Sequence, residues 1–244
     1  LRSTVGQNKK EVLMKKRNML ILMVLVAGSL NAVRLVDNSE AIDLANNAIY
    51  ALSNTATTSD TTTGSSGTGS SGYYDSFSNL STNQLIAALG LLIAGNSESS
   101  SEAVTSAQTA HHQAVVVKKA VESAKHAVKH HSSKKAKSKI EKAAKKTAEA
   151  ADADSSLSGV LKSLNDASSN LSSGKSAASD LTNALAGVTE AVEAKKADLV
   201  EAKKQHKNIK SAQAKFKKAE HEIEAGHKGH AKKALENVVA ILKA

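Results

Sequence analysis

One register of apolar residues constrains this chain more than anything else in it. From Leu157, residues recur at alternating spacings of three and four: Leu157, Val160, Leu164, Ala167, Leu171, Gly174, Ala178, Leu181, Leu185, Val188 and Val192. The frame continues through Lys195, Leu199, Ala202, His206, Ile209, Gln213, Phe216, Glu220 and Ile223. Such a repeat puts all these positions on one stripe of a helix, and this one runs well beyond the roughly three to four heptads that mark coiled-coil packing. No proline occurs anywhere in the 244 residues, so nothing in the stripe locks φ or removes a hydrogen-bond donor. Ser172-Ser173-Gly174 predicts a break into a short helix and a long one reaching Ala225. At about 1.5 Å per residue, a helix of about 50 residues spans about 75 Å.

A second stripe is made of smaller residues: Ala103, Ala107, Ala110, Ala114, Val117, Val121, Ala124 and Val128. Small side chains at seam positions let helices approach closely. His131-Ser132-Ser133 interrupts it, and Ile140, Ala144, Thr147 and Ala151 continue a weaker stripe. Residues 152–156 read as a turn that caps the following helix. Aromatic residues are only 2% of the chain and Trp is absent, so the core has to be assembled from Ala, Val, Leu and Ile. Cysteine is absent too, which excludes disulfides, thiolate nucleophiles and Cys-ligated metals. The expected fold class is all-α: an elongated bundle of coiled-coil-like helices with a disordered Ser/Thr/Gly-rich linker.

The N-terminal region reads as a targeting signal. A basic stretch, Met14-Lys15-Lys16-Arg17, precedes nine apolar residues from Met19 to Ala27 and small residues ending at Ala32. The apolar run is far shorter than the ~20 residues of a bilayer span. We therefore read 1–13 as upstream of the natural start, 14–32 as a signal peptide cut after Ala32, and the protein as secreted or, in a bacterium, periplasmic. Residues 33–52 hold a short amphipathic helix, with Ile42, Ala45, Ile49 and Leu52 on one face and Ser39 as its cap. Residues 53–76 are a flexible Ser/Thr/Gly linker. Residues 77–101 hold a short apolar helix from Leu85 to Ala94, capped by Thr82 or Asn83, ended by Gly95-Asn96 and in need of cover by protein. A polar break at Ser97 to Glu102 follows. Residues 102–152 form Lys/His-rich amphipathic helices, 153–226 long heptad-patterned helices, and 227–244 a last helix with Ala231, Leu235, Val238 and Leu242 on one face.

Charge is distributed unevenly along a chain of net charge +10. No Lys or Arg lies between Arg34 and Lys118. Beyond that gap, Lys118, Lys119, Lys125, Lys129, Lys134, Lys135, Lys137, Lys139, Lys142, Lys145 and Lys146 face four Glu between Glu102 and Ala150. Positive density of this kind attracts anionic polymers, lipid or mineral through Coulomb forces and counterion release. All three Arg lie at or before position 34, so the bidentate forks of sequence-specific nucleic-acid readout are missing from the rest.

Nine histidines add imidazole chemistry: His111, His112, His126, His130, His131, His206, His221, His227 and His230. His126 and His130 are four apart and His227 and His230 three apart, so each pair can share a helix face and offer two metal ligands. Two ligands on an exposed helix make a weak site. No HExxH, GxSxG, P-loop or GxGxxG occurs, which predicts a non-enzymatic protein without a cofactor. Asn79-Leu80-Ser81 and Asn170-Leu171-Ser172 are glycosylation sequons, the second on the predicted seam.

Ser/Lys/His-rich secreted chains look like proteins that template silica, and here that compositional resemblance covers mainly His111 to Lys146. It implies amines that hydrogen-bond silanols and imidazoles that titrate near neutral pH. The expected function is a secreted structural protein that self-assembles through its seams as a homo-oligomer and binds an anionic matrix or mineral. The alternatives are a cationic protein acting on polyanions or membranes, the membrane disfavoured by a stripe of Ala and Val, and a His-rich periplasmic metal-binding protein.

Overall fold

The computed structural model describes residues 36–54 and 80–244. The signal segment 14–32, the residues before it, linker residues 55–76 and Asn79 lie outside the described residues. The described residues form six α-helices and no strand: α1 Ser39–Asn54, α2 Thr82–His130, α3 Ser133–Ala151, α4 Ser158–Ser172, α5 Ala178–Glu224 and α6 Lys228–Lys243. A single 3₁₀ turn, Ser155–Leu157, precedes α4. The protein is all-α, dominated by long packed helices.

The helix ends follow from local chemistry. Ser81 caps α2: its N–H donates to Gln84 Oε1 at 2.9 Å, and the Gln84 N–H donates back to Ser81 Oγ at 3.4 Å. This is a reciprocal capping box, and it places the cap one residue before Thr82. Asn38, not the expected Ser39, holds the N-cap position of α1, since the first helical hydrogen bond runs from the Ile42 N–H to the Asn38 carbonyl, and Asp37 Oδ1 accepts from the Ser39 N–H at 2.9 Å. Asp154 accepts from the Ser156 N–H at 3.1 Å, as a turn rich in Asp and Ser should provide. After α4 and after α5 the chain turns through Gly174 at φ +72° and Gly226 at φ +78°, left-handed values that cost glycine little.

The largest departure from the sequence reading is the expected polar break at Ser97 to Glu102. Helix α2 passes straight through it, so Gly95-Asn96 ends nothing. The reason lies in neighbours distant in sequence. Asn96 Nδ2 donates to Asn38 Oδ1 at 3.1 Å, and Ser100, fully buried, bonds to both Ser97 O and His206 Nδ1 at 2.9 Å. The polar residues that face inward are thus hydrogen-bonded from within the helix, while Glu98, Ser99, Ser101 and Glu102 lie exposed on its surface.

The described helices divide between two compact units, with α2 and α5 contributing to both. In one, spanning residues 105–200, Val117, Val121 and Ala124 of α2 pack with Ile140 and Ala143 of α3, Val160 and Leu164 of α4, and Leu181 and Val188 of α5. In the other, α1 and α6 pack on each other and on the first part of α2 and the last part of α5. Its core holds Leu44, Leu89, Ile93, Ile209, Phe216 and Leu235. The apolar run 85–94 is thus covered by protein, as expected, with Leu85, Ile86, Leu89 and Ile93 buried and Leu91 left 77% exposed. The buried face of α1 is centred on Ala41, Leu44, Ala45 and Ala48, while the expected Ile42 and Ile49 are only partly buried. All four expected face residues of α6 are buried. Seam residues in each core are covered within this one chain, each large side chain contributing about 1.5–3 kcal/mol of burial.

Candidate anion cleft and histidine clusters

Helices α2 and α3 are antiparallel neighbours in sequence, joined at His131-Ser132. Their shared core is built of Val, Ala and Ile, so lysines at the flanking positions of each helix are pushed to the rim. Four of them converge. Lys119 from α2 and Lys139, Lys142 and Lys146 from α3 line an open cleft of about 280 Å³, with Val116, Ala120, Ser123 and Ala143 forming the rest of its wall. No carboxylate lines it, and among the described residues none of these four lysines pairs with one. Four like charges around a small apolar-floored cleft repel one another, a cost that an anion relieves.

The other candidate lysines are dispersed. Lys118, Lys125 and Lys137 are partly covered, whereas Lys129, Lys134, Lys135 and Lys145 are exposed along the same two helices and outside the cleft wall. At the α2–α3 junction the His126 and His130 rings stand 4.5 Å apart between centroids, with His131 at 5.9 Å from His126. Desolvation, then the charges of Lys135, His126, His130 and Lys139, hold His131 below the usual imidazole pKa. His111 is partly covered and His112 and His221 are exposed.

His227 and His230 have a partner that sequence spacing did not reveal. Glu222, near the end of α5, places Oε2 3.1 Å from His227 Nδ1 and 3.4 Å from His230 Nδ1. Partial burial acts to raise the Glu222 pKa, but hydrogen bonds and charge from His227 and His230 outweigh it and leave the carboxyl below its ordinary value. The signal that could have found Glu222 is Gly226. A glycine ending a helix brings the residue after it back beside the residue four before it.

Among the described residues, Ser100 and His206 make a serine–imidazole contact that resembles part of a nucleophilic set. Ser100 Oγ lies 2.9 Å from both the Ser97 carbonyl and His206 Nδ1, and Ser100 is fully buried, so its oxygen is shielded from any substrate. The pair ties α2 to α5. Lys195, expected on the seam, instead bonds Asp154 at 3.2 Å with both side chains nearly buried. Asn170 Nδ2, the atom that glycosylation would modify, donates to Asp180 Oδ2 at 2.8 Å from within α4. No described helix is long and apolar enough to cross a membrane. Compared with known proteins, the chain matches no family model, no curated sequence and no solved structure.

Proposed function

We propose that this is a secreted, non-enzymatic helical protein that binds an anionic polymer or mineral surface, silica being the mineral its composition suits, through the lysine cleft between α2 and α3. The observation that carries this reading is the convergence of Lys119, Lys139, Lys142 and Lys146 on one cleft without a carboxylate in its wall. Amine groups held on a helical frame lose less backbone freedom on binding than the same lysines on a flexible tail. Ammonium groups attract phosphate, sulfate, carboxylate and silanolate alike, so the site selects charge density rather than a sequence. Self-assembly is part of the same proposal in a narrower form. The seams find most of their cover within the chain, so copies would have to meet through other surfaces, with exposed Tyr50, Leu91 and Val200 among the apolar groups available.

The test uses the exported chain, expected to begin at Val33 on N-terminal sequencing, with heparin and colloidal silica as probes. Replacing Lys119, Lys139, Lys142 and Lys146 together by Gln should lower the slope of log K against log[salt] for heparin by roughly 3–4. A control replacing the exposed Lys203, Lys207, Lys210 and Lys217 removes the same charge and should change the slope far less. Equal effects of the two variants would show that net charge alone attracts the polymer, and the cleft reading would fall.

A further inference from the structure

The turn between α5 and α6 does something that the polyanion reading does not use. Helix α5 ends in two backbone hydrogen bonds, from the His227 N–H to the Glu222 carbonyl at 2.8 Å and from the Gly226 N–H to the Ile223 carbonyl at 3.0 Å. With Gly226 at φ +78°, this is a Schellman stop. It fixes residues 222 and 227 side by side whatever their side chains are. The same motif ends α4, where Lys175 N–H bonds the Asn170 carbonyl at 2.8 Å and Gly174 is left-handed. There the paired positions hold Asn170 and Lys175, which offer no set of metal ligands. At the end of α5 they hold a carboxylate and an imidazole, and α6 starts at once, bringing His230 over the same spot one turn later.

We infer that Glu222, His227 and His230 form a three-ligand site for a divalent transition-metal ion of the Zn²⁺ type. All three side chains offer a ligand atom within 4.8 Å of one another, the one such group among the described residues. Zn²⁺ bonds nitrogen and oxygen at about 2.0–2.1 Å in a tetrahedron, which sets its ligand atoms about 3.3 Å apart. The two oxygen–nitrogen separations already in place, 3.1 and 3.4 Å, bracket that value. Glu222 is largely covered, with its side chain 16% exposed, while both imidazoles are open to solvent, so an ion can enter from outside onto an anchored carboxylate. Two imidazoles and one carboxylate suit Zn²⁺ over Ca²⁺ or Mg²⁺, which prefer oxygen.

Three ligands leave a fourth position. Glu222 and His230 line a groove of about 270 Å³ whose wall also contains Lys215, Lys218 and Lys233. Their charges oppose a bare cation, and they favour an anion or hydroxide as the fourth ligand. The site therefore binds metal more weakly than a closed four-ligand structural site.

The experiment is isothermal titration of the full chain with Zn²⁺ at pH 7.5, alongside Co²⁺ titration read by visible absorption. A tetrahedral Co²⁺ site gives intense d–d bands, and the chain has no cysteine to add thiolate bands of its own. The expected result is one saturable site, weakened at least about tenfold by His230→Ala and by Glu222→Gln. Glu222→Gln keeps a hydrogen-bond acceptor for His227, so far-UV circular dichroism should be unchanged and the loss can be assigned to the ligand. A His126→Ala, His130→Ala, His131→Ala variant should keep the site intact. Binding that vanishes in that triple variant and survives Glu222→Gln, or no saturable binding in the native chain, would overturn the inference. Neither outcome bears on the lysine cleft, which lies in the other compact unit.

Discussion

Gly90 shows how a single missing carbon shapes the packing of α2. A Cβ built there would lie 2.9 Å from Phe216 Cε1, closer than real Cβ atoms come, and 3.2 Å from Cζ, tighter than most such contacts. Two effects compete in Gly90→Ala. Helix propensity favours Ala by about 1 kcal/mol, while overpacking a filled core costs about 1–3 kcal/mol. Phe216 is 4% exposed and hemmed in by its cluster, so overpacking should win and urea unfolding should shift to lower concentration. In a Phe216→Leu background the clash is relieved, and the same Gly90→Ala change should then stabilise. If Gly90→Ala stabilises the chain with Phe216 present, the close approach is not a real constraint. Sequence gave no hint of this contact, because the two residues are 126 positions apart and one of them sits in a run that looks uniformly apolar.

At the scale of helices and turns, the α2–α3 junction carries a pH dependence. His131 is held below the usual imidazole pKa, first by desolvation and then by Lys135, His126, His130 and Lys139. The unfolded chain, with an imidazole pKa of about 6.5, then takes up a proton more readily than the folded one. Stability contributed by neutral His131 is fully present above that value and is lost as pH falls from about 6.5 through the lower folded pKa. The urea midpoint should therefore drop between pH 7.5 and pH 5.5, and His131→Asn should reduce the drop. A midpoint that rises on acidification, or a drop unchanged by His131→Asn, would contradict this sign. The junction itself was legible from His131-Ser132-Ser133, as were the stops at Gly174 and Gly226. Residues 97–102 look like loop because they are polar, yet they lie within α2. Ser100 and Asn96 find partners at His206 and Asn38, and a helix whose polar groups are satisfied has no reason to end there.

Over the whole molecule, each compact unit has its own core, and no residue belongs to both. Leu181→Ala and Leu235→Ala each empty a fully buried position and should each cost about 2–5 kcal/mol. Hydrogen exchange should rise mainly among amides of residues 105–200 for the first and of 36–54, 80–104 and 201–244 for the second. Uniform acceleration across both units in either variant would show that they open as one. The sequence by itself determined that the protein is helical, where most helices stop and roughly which face of several is buried, because these depend on local periodicity, on Gly, and on the absence of proline. It also located the basic stretch and paired His227 with His230. Only the tertiary structure decided that most of the long seams is covered by the chain's own helices, that four lysines out of eleven share one cleft, and that Glu222 meets both His227 and His230. Those outcomes depend on which side chains meet across helices, and a one-dimensional repeat records the stripe a residue occupies without recording its partner.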